Sequence, residues 1–353
     1  MKNKFWGLII LLIVIAGVFA YSFLSSKRPQ ATDLTGRLGG EKIGLFENPK
    51  FKDYLKKEYN LTMDYRKAGS FDMVQGDLEG QDYLFPSSQL ALELFKKQGH
   101  KATRDEIIFN TPIVLYSYKP IMDALMKEGI VSEREGVYYV DMEALAQLIL
   151  SDKTWQDLGL NGPFGDILVD TTDPAASNSG NMFLGLLANA MNGNKMVTID
   201  QAQKLLPKLK AIYQSIGFMN TSSADMFSQF LTLGMGSYPI IAGYESQLLE
   251  YSVQEPETYE RIKDNLYILY PEPTVWSSHL YISLDKEAEV GIEALKNPKV
   301  QELAWVEHGY RTIVAGSQDQ DQFQVPGLAP QVTKIMQMPS YEVMDYLVKG
   351  VSP

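Results

Sequence analysis

The chain has 353 residues, 45% of them apolar and 21% charged, with a formal net charge of −11. That length allows two domains of ordinary size, each with its own core. The acidic balance argues against a nucleic-acid partner, which needs a basic stripe, but leaves room for a small anion met by backbone dipoles. There is no cysteine, which excludes disulfides, thiolate metal sites and a cysteine nucleophile.

Lys2 and Lys4 precede an uncharged apolar run from Phe5 to Leu24, which Lys27, Arg28 and Pro29 follow. A run of this length spans a bilayer as a helix, and Val18-Phe19-Ala20 reads equally as a small-residue cleavage site. Residues 1–24 are therefore a signal-anchor or a signal peptide. The protein is expected on the extracellular face of the membrane, anchored through residues 5–24, or secreted if cleaved after Ala20. Residues 25–40 are polar and contain glycine, as expected of a linker.

Strand and helix patterns then alternate. Residues 42–46 are strand-like, Phe51, Tyr54, Leu55 and Tyr59 fall at helical spacing, and Leu61, Met63 and Tyr65 alternate as in a strand. Residues 81–85 form a short strand, Leu90, Ala91, Leu94 and Phe95 mark a helix face, and 107–118 is a long β-run. Residues 141–150 and 200–216 read as amphipathic helices, whereas 167–169, 239–242 and 266–270 read as buried strands. A β-run at 280–284, helices at about 285–296 and 298–308, a strand at 311–314 and a helical tail at 341–349 follow. Such alternation predicts an α/β protein with mainly parallel sheets covered by helices on both faces.

Five polar junctions carry the functional signal. Residues 171–183 (Thr-Thr-Asp-Pro-Ala-Ala-Ser-Asn-Ser-Gly-Asn-Met-Phe) join the run at 167–169 to an apolar helix. A small polar turn that opens a helix presents free N–H groups, and oxyanions bind there readily. The plainer reading makes Ser177 or Ser179 a helix cap. The other junctions are Lys67-Ala68-Gly69-Ser70, Phe85-Pro86-Ser87-Ser88, Asn110-Thr111-Pro112 and Gly243-Tyr244-Glu245-Ser246. In open α/β sheets ligands bind outside the carboxyl ends of strands, so these junctions predict a shared cleft. Trp276-Ser277-Ser278-His279 reads either as a further contribution to it or as a core tryptophan beside a satisfied histidine. The candidate ligand-binding residues are Ser70, Ser87, Ser88, Asn110, Asp173, Ser177, Asn178, Ser179, Tyr244 and Trp276.

The order Lys67–Ser70, Asp82–Ser88, Asn110–Val114, Asp173–Gly180 and Leu266–Pro273 resembles the type II extracellular solute-binding proteins of ABC importers. The nearest branch is the molybdate/sulfate-like one. The resemblance covers roughly residues 40–315 and implies a periplasmic-binding-protein-like fold of two lobes with two β-strand crossovers, near 111–118 and 271–282. It implies one lobe from 41–115 plus 280–353, a second from 116–279, and closure of the pair on a ligand. The partners it implies are a small-molecule or oxyanion ligand and an ABC permease, and the chain is expected to be a monomer. The family's binding serine falls on Ser70, and its Asp-Pro loop on Asp173, Pro174, Ser177 and Ser179. One departure stands out. The family's first strand ends in a small hydroxyl-bearing loop, whereas here Leu45-Phe46-Glu47-Asn48-Pro49 occupies that place, which points to a ligand larger than, or charged differently from, a bare tetrahedral oxyanion.

No catalytic residue, metal or cofactor is expected. His100, His279 and His308 are not spaced as a metal pair. No nucleophile elbow, phosphate-binding loop or dinucleotide fingerprint is present. Two other readings stay open: a membrane-anchored sensor or assembly protein that keeps the binding fold, and an extracellular hydrolase using His279.

Overall fold

The computed structural model describes residues 31–151, 153–312 and 320–352; the segment read as signal or anchor lies outside them. The first described strand, β1 (Thr32–Leu38), corrects the reading of 25–40 as a linker. Leu34, Gly36 and Leu38 alternate inward while Asp33 and Thr35 face out, the period of a half-buried strand. Residues 42–46, expected as a strand, instead fold into a tight turn (Gly40–Lys42) and helix α1 (Ile43–Glu47). Helix α2 (Pro49–Tyr54) begins where the Asn48 side chain accepts the Lys50 N–H at 2.9 Å and Pro49 takes the first helical position.

Strands β2 (Leu61–Lys67) and β3 (Tyr83–Phe85), helix α3 (Gln89–Lys97) and strand β4 (Arg104–Tyr118) follow. Next come α4 (Lys119–Lys127), the hairpin β5 (Val131–Arg134) and β6 (Val137–Val140), and α5 (Met142–Ile149). Residues 167–169 are not a strand. Ile167 and Val169 are buried, but the flanking Asp166 and Asp170 make single bridges, to Thr154 and Ile241. Helices α6 (Asn178–Met191), α7 (Ile199–Ile216) and α8 (Ser223–Leu233) lead to β7 (Ile240–Tyr244), α9 (Glu245–Gln254) and α10 (Pro256–Ile262). The chain continues through β8 (Leu266–Pro271), β9 (Trp276–Ser283), α11 (Glu289–Leu295), α12 (Pro298–His308), β10 (Arg311–Thr312) and α13 (Tyr341–Val351).

The sheet order is β2-β1-β3-β9-β4-β8-β6-β5, with β7 and β10 also paired to β4. It is mixed, not mainly parallel. β1 runs parallel to β2 and β3, and β6 to β8, whereas every partner of β4 is antiparallel to it. The reason is β4 itself: residues 104–112 pair with β9, and residues 113–118 pair with β7 and β8. One continuous strand therefore crosses from the first half of the sheet to the second. The second crossing is the β8–β9 connection. There the Ile113 N–H donates to the Val275 carbonyl (3.1 Å) and the Thr274 hydroxyl to the Ile113 carbonyl (2.6 Å), tying the crossings together.

Each half has its own core. Leu38, Phe46, Phe85, Phe109 and Ile292 pack in the first lobe. In the second, Leu115, Trp155, Ile167, Phe183 and Tyr213 pack on one side, and Tyr116, Phe230, Leu248 and Tyr270 on the other. The C-terminal helix does not follow the expected division, because Val343, Met344 and Leu347 of α13 join the core of α6 and α7. A Cβ on Gly36 would sit 2.5 Å from the Tyr83 carbonyl oxygen of β3. Gly36→Ala should therefore force β1 and β3 apart and cost about 1–3 kcal/mol, read as a lowered urea midpoint.

Candidate functional site

A cleft of about 350 Å3 opens where strand ends of both lobes converge. The first-lobe wall is the turn after β1, Gly39-Gly40-Glu41, with Lys67-Ala68-Gly69-Ser70 after β2 and Asp72. The first turn is packed closely: a Cβ on Gly39 would lie about 2.5 Å from the Glu41 carboxylate, and one on Gly40 would lie 2.7 Å from Lys67 Cε, so a larger residue at either would displace those side-chain ends. Opposite stand the start of α6 (Ala176, Ser177, Asn178), the start of α8 (Thr221–Ala224) and Tyr244 at the end of β7. Loops at the carboxyl ends of β1 and β2 build the first wall, and the end of β7 contributes Tyr244 to the second, where open α/β sheets bind ligands.

Beneath the first wall lies a charged cluster with almost no access to water. Lys42 is fully buried and its Nζ donates to the Glu41 carboxylate, to Ser87 Oγ at 2.8 Å and to His279 Nδ1 at 3.2 Å. An ammonium has three protons and no acceptor capacity, so these three partners satisfy it. His279 must then carry its proton on Nε2, which has no partner among the described residues. Burial, followed by the Lys42 charge, holds the His279 ring well below its usual range, so it is neutral. Burial would raise the Glu41 carboxyl, but Lys42 and hydrogen bonds from Lys42 and Ser87 overcome this and hold it at about 2. Burial lowers Lys42, and Glu41 opposes that shift. Glu41 is thus ionised and 11% exposed, with one side toward Lys42 and the cleft on the other.

Ser87 couples the walls. Its N–H donates to Ser70 Oγ (3.0 Å), and its carbonyl accepts from Asn178 Nδ2 (3.0 Å) and Ser277 Oγ (2.8 Å). Asn178 Nδ2 also reaches the Tyr244 hydroxyl at 3.0 Å, and Asn178 Oδ1 has no partner among the described residues.

Of the residues expected at the site, Ser70, Ser177, Asn178 and Tyr244 line the cleft, and Ser87 lies in its floor. Ser179 sits one layer back, 2.8 Å from Thr172 Oγ1 and 3.1 Å from Ser177 Oγ. Asp173 shapes the turn instead: its carbonyl accepts from Ala176 and Ser177 and its carboxylate from Ala175. Three residues fall elsewhere. Ser88 caps α3 through Leu90 and, with Trp276, lines a separate cavity beside Met182 and Met338. Asn110 accepts from Ser278 Oγ at 2.8 Å between β4 and β9. Trp276 and Ser277 are consecutive on a strand and point to opposite faces, so Ser277 reaches the floor of the cleft and Trp276 does not. The supposed opposite wall, residues 45–49, is likewise elsewhere, because the first strand is β1 and its loop is Gly39–Glu41.

Sequence reading missed Glu41, Lys42, Asp72 and the Thr221–Ser223 wall. A signal existed for the last: Ser222 with Asp225 three residues on, ahead of an apolar run, marks a helix start.

The depressed Glu41 contributes stability that is present above its unfolded value of about 4.3 and is lost as pH falls toward about 2. Glu41→Gln should flatten that part of the acid profile. At neutral pH it should also cost about 3–5 kcal/mol by leaving Lys42 unpaired, most of which Glu41→Gln with Lys42→Met should restore. Urea unfolding across the acid range, and at neutral pH, checks both.

No protein-family profile matches the chain, and no curated protein matches its sequence. Solved structures do. A protein of Listeria monocytogenes described as a spermidine/putrescine ABC transporter matches with TM-score 0.58 and 12% identity, over 91% of this chain and 98% of that one. The sulfate-binding protein SubI of Mycobacterium tuberculosis matches with TM-score 0.54 and 15% identity, over 89% and 96%. A two-component system protein that mediates signal transduction matches with TM-score 0.53 and 13% identity, over 89% and 99%. At such identities these likenesses speak to the fold, which is the two-lobed fold of the type II periplasmic binding proteins.

Proposed function

We propose that this chain is an extracellular solute-binding protein that captures a small polar ligand between its lobes and presents the closed form to an ABC-type importer. The observation that carries the reading is the cleft at Glu41, Lys67, Ser70, Ser177, Asn178 and Tyr244, whose walls come from different lobes. A ligand touching both walls stabilises the closed arrangement by whatever it gains over touching one. Closure removes water and strengthens each polar contact. The cleft volume falls within the roughly 300–1,000 Å3 of small-molecule sites. Sulfate-binding and spermidine/putrescine-associated proteins of this fold support capture and delivery, and the work is binding, not chemistry.

The second reading is a sensor that binds the same ligand and signals without transport. The signal-transduction protein of the same fold favours it.

Native mass spectrometry of the protein released from its host should identify the bound compound. That compound at a hundredfold its dissociation constant should raise stability by about 2.7 kcal/mol. Ser177→Ala and Lys67→Ala, one on each wall, should each weaken binding by about 1–3 kcal/mol in calorimetric titration; unchanged affinity in both would place binding outside this cleft. Recovery of a permease in a pull-down with ligand separates carrier from sensor.

A further inference from the structure

We infer that the ligand is a small zwitterion, with a cationic amine directed at Glu41 and an anionic group directed at the start of α6. The inference rests on the reading of the cleft as a ligand site and names the class of molecule it takes. Its first ground is the distribution of charge. The first-lobe wall carries Glu41, Asp72 and Lys67, with Lys42 directly behind Glu41. Two carboxylates and two ammonium groups cancel, so the site offers no excess positive charge for a dianion and no excess negative charge for a dication. A net-neutral ligand fits that sum.

The second ground is that the walls differ in kind. The second-lobe wall residues (Ala176, Ser177, Asn178, Thr221–Ala224 and Tyr244) include no formal charge. That wall consists of hydroxyls, an amide and two helix starts that differ: α8 is capped by Ser222 and carries Asp225 in its first turn, whereas α6, of 14 residues, has neither a side-chain cap nor an acid there. The Ser177 side chain makes no capping bond to α6, and Asn178, the first residue of that helix, lines the cleft. Helix starts favour negative charge. An anionic group therefore belongs on this side, away from the ionised Glu41.

The third ground is an unsatisfied acceptor. Asn178 is more than nine-tenths buried, and its Oδ1 has no partner among the described residues. Its Nδ2 bonds the Ser87 carbonyl, while Ser87 Oγ bonds Glu41. Ser87 thus links Glu41 and Asn178 into one hydrogen-bonded set at the cleft, in which Asn178 Oδ1 is the acceptor left without a donor among the described residues. An ammonium supplies several donors at once, whereas sulfate supplies none. A neutral sugar would satisfy acceptors but would give the start of α6 no charge to stabilise.

Calorimetric titration of the full chain, refolded from denaturant to free it of co-purified ligand, tests this with the standard α-amino acids, γ-aminobutyrate, sulfate, putrescine and glucose. At least one zwitterion should bind about tenfold or more tighter than each of the other three probes. Asp72→Asn, an exposed change expected to leave the fold intact, should weaken the zwitterion about threefold and strengthen sulfate. Glu41→Gln, where it folds, should weaken the zwitterion about tenfold or more. Tightest binding by sulfate, putrescine or glucose would overturn the zwitterion assignment and leave the cleft reading standing. A zwitterion whose affinity ignores both substitutions would overturn the assignment too. No binding by any probe, with an unliganded native mass spectrum, would remove the cleft reading along with it.

Discussion

The structure depends on one strand serving two halves of a sheet. β4 spans Arg104–Tyr118, at roughly 3.3 Å per residue about 50 Å of chain. Its first part is antiparallel to β9 and its last part to β7 and β8. The return crossing is bound to it through Ile113, Thr274 and Val275, and the Thr274 backbone is held in turn by Lys334 and Met336. Two crossings hydrogen-bonded side by side form the seam between the lobes. The cleft lies at strand ends beside this seam, which is why its walls belong to different lobes while its floor is shared.

Burying charge is the second constraint. An ammonium without water is costly unless every proton finds an acceptor. Lys42 finds three, and they come from three places: Glu41 after β1, Ser87 after β3 and His279 on β9. That demand fixes the turn after β1 against the floor and keeps Glu41 ionised where it meets the cleft. A similar arrangement ties the lobes further out. Arg311 of β10 donates from Nε and Nη2 to both oxygens of Glu245 at the start of α9, at 2.6 and 2.7 Å, and Tyr270 donates to the same carboxylate. Both Glu245 and Arg311 are buried. Ion pairs of this kind are weak sources of net stability but severe when half removed, so they act as specifiers of arrangement.

Much of the fold was legible because long periodic segments announce themselves. The helix at 199–216, the β-run that became β4 and the tail at 341–351 are examples. The failures have physical causes. β1 has the right alternation at Leu34, Gly36 and Leu38, but its charged and hydroxylated outward face and its two trailing glycines imitate a linker. Residues 42–46 are too few to separate a period of two from one of 3.6, and only packing of Leu45 and Phe46 into the first core decides for helix. At the site, junction chemistry pointed to Ser70, Ser177, Asn178 and Tyr244, because strand ends and helix starts are written locally. It could not separate Ser87 from Ser88, or Ser277 from Trp276, since neighbouring residues there part to opposite faces. Nor could it see Lys42, because a lysine reads as surface until the acceptors that bury it are brought together from residues 41, 87 and 279.

The global charge of −11 says little about what the cleft accepts. Exposed charges beyond about 8–10 Å are screened at physiological salt, whereas groups inside a closing cleft are not. What counts is the local set of Glu41, Asp72, Lys67 and Lys42, together with the dipole at the start of α6. Closure would intensify this set without rearranging it. The bond from Asn178 to Ser87 joins the lobes at the floor, next to Ser277 on β9 and close to the crossing strands. Atoms near a rotation axis move least, so under the proposed closure this contact would persist while Lys67 and Asp72 on one rim would swing toward Ser177 and Ser222 on the other. The ligand's own polar groups would then settle the balance between open and closed, because the cost of burying the floor is already met in the unliganded protein.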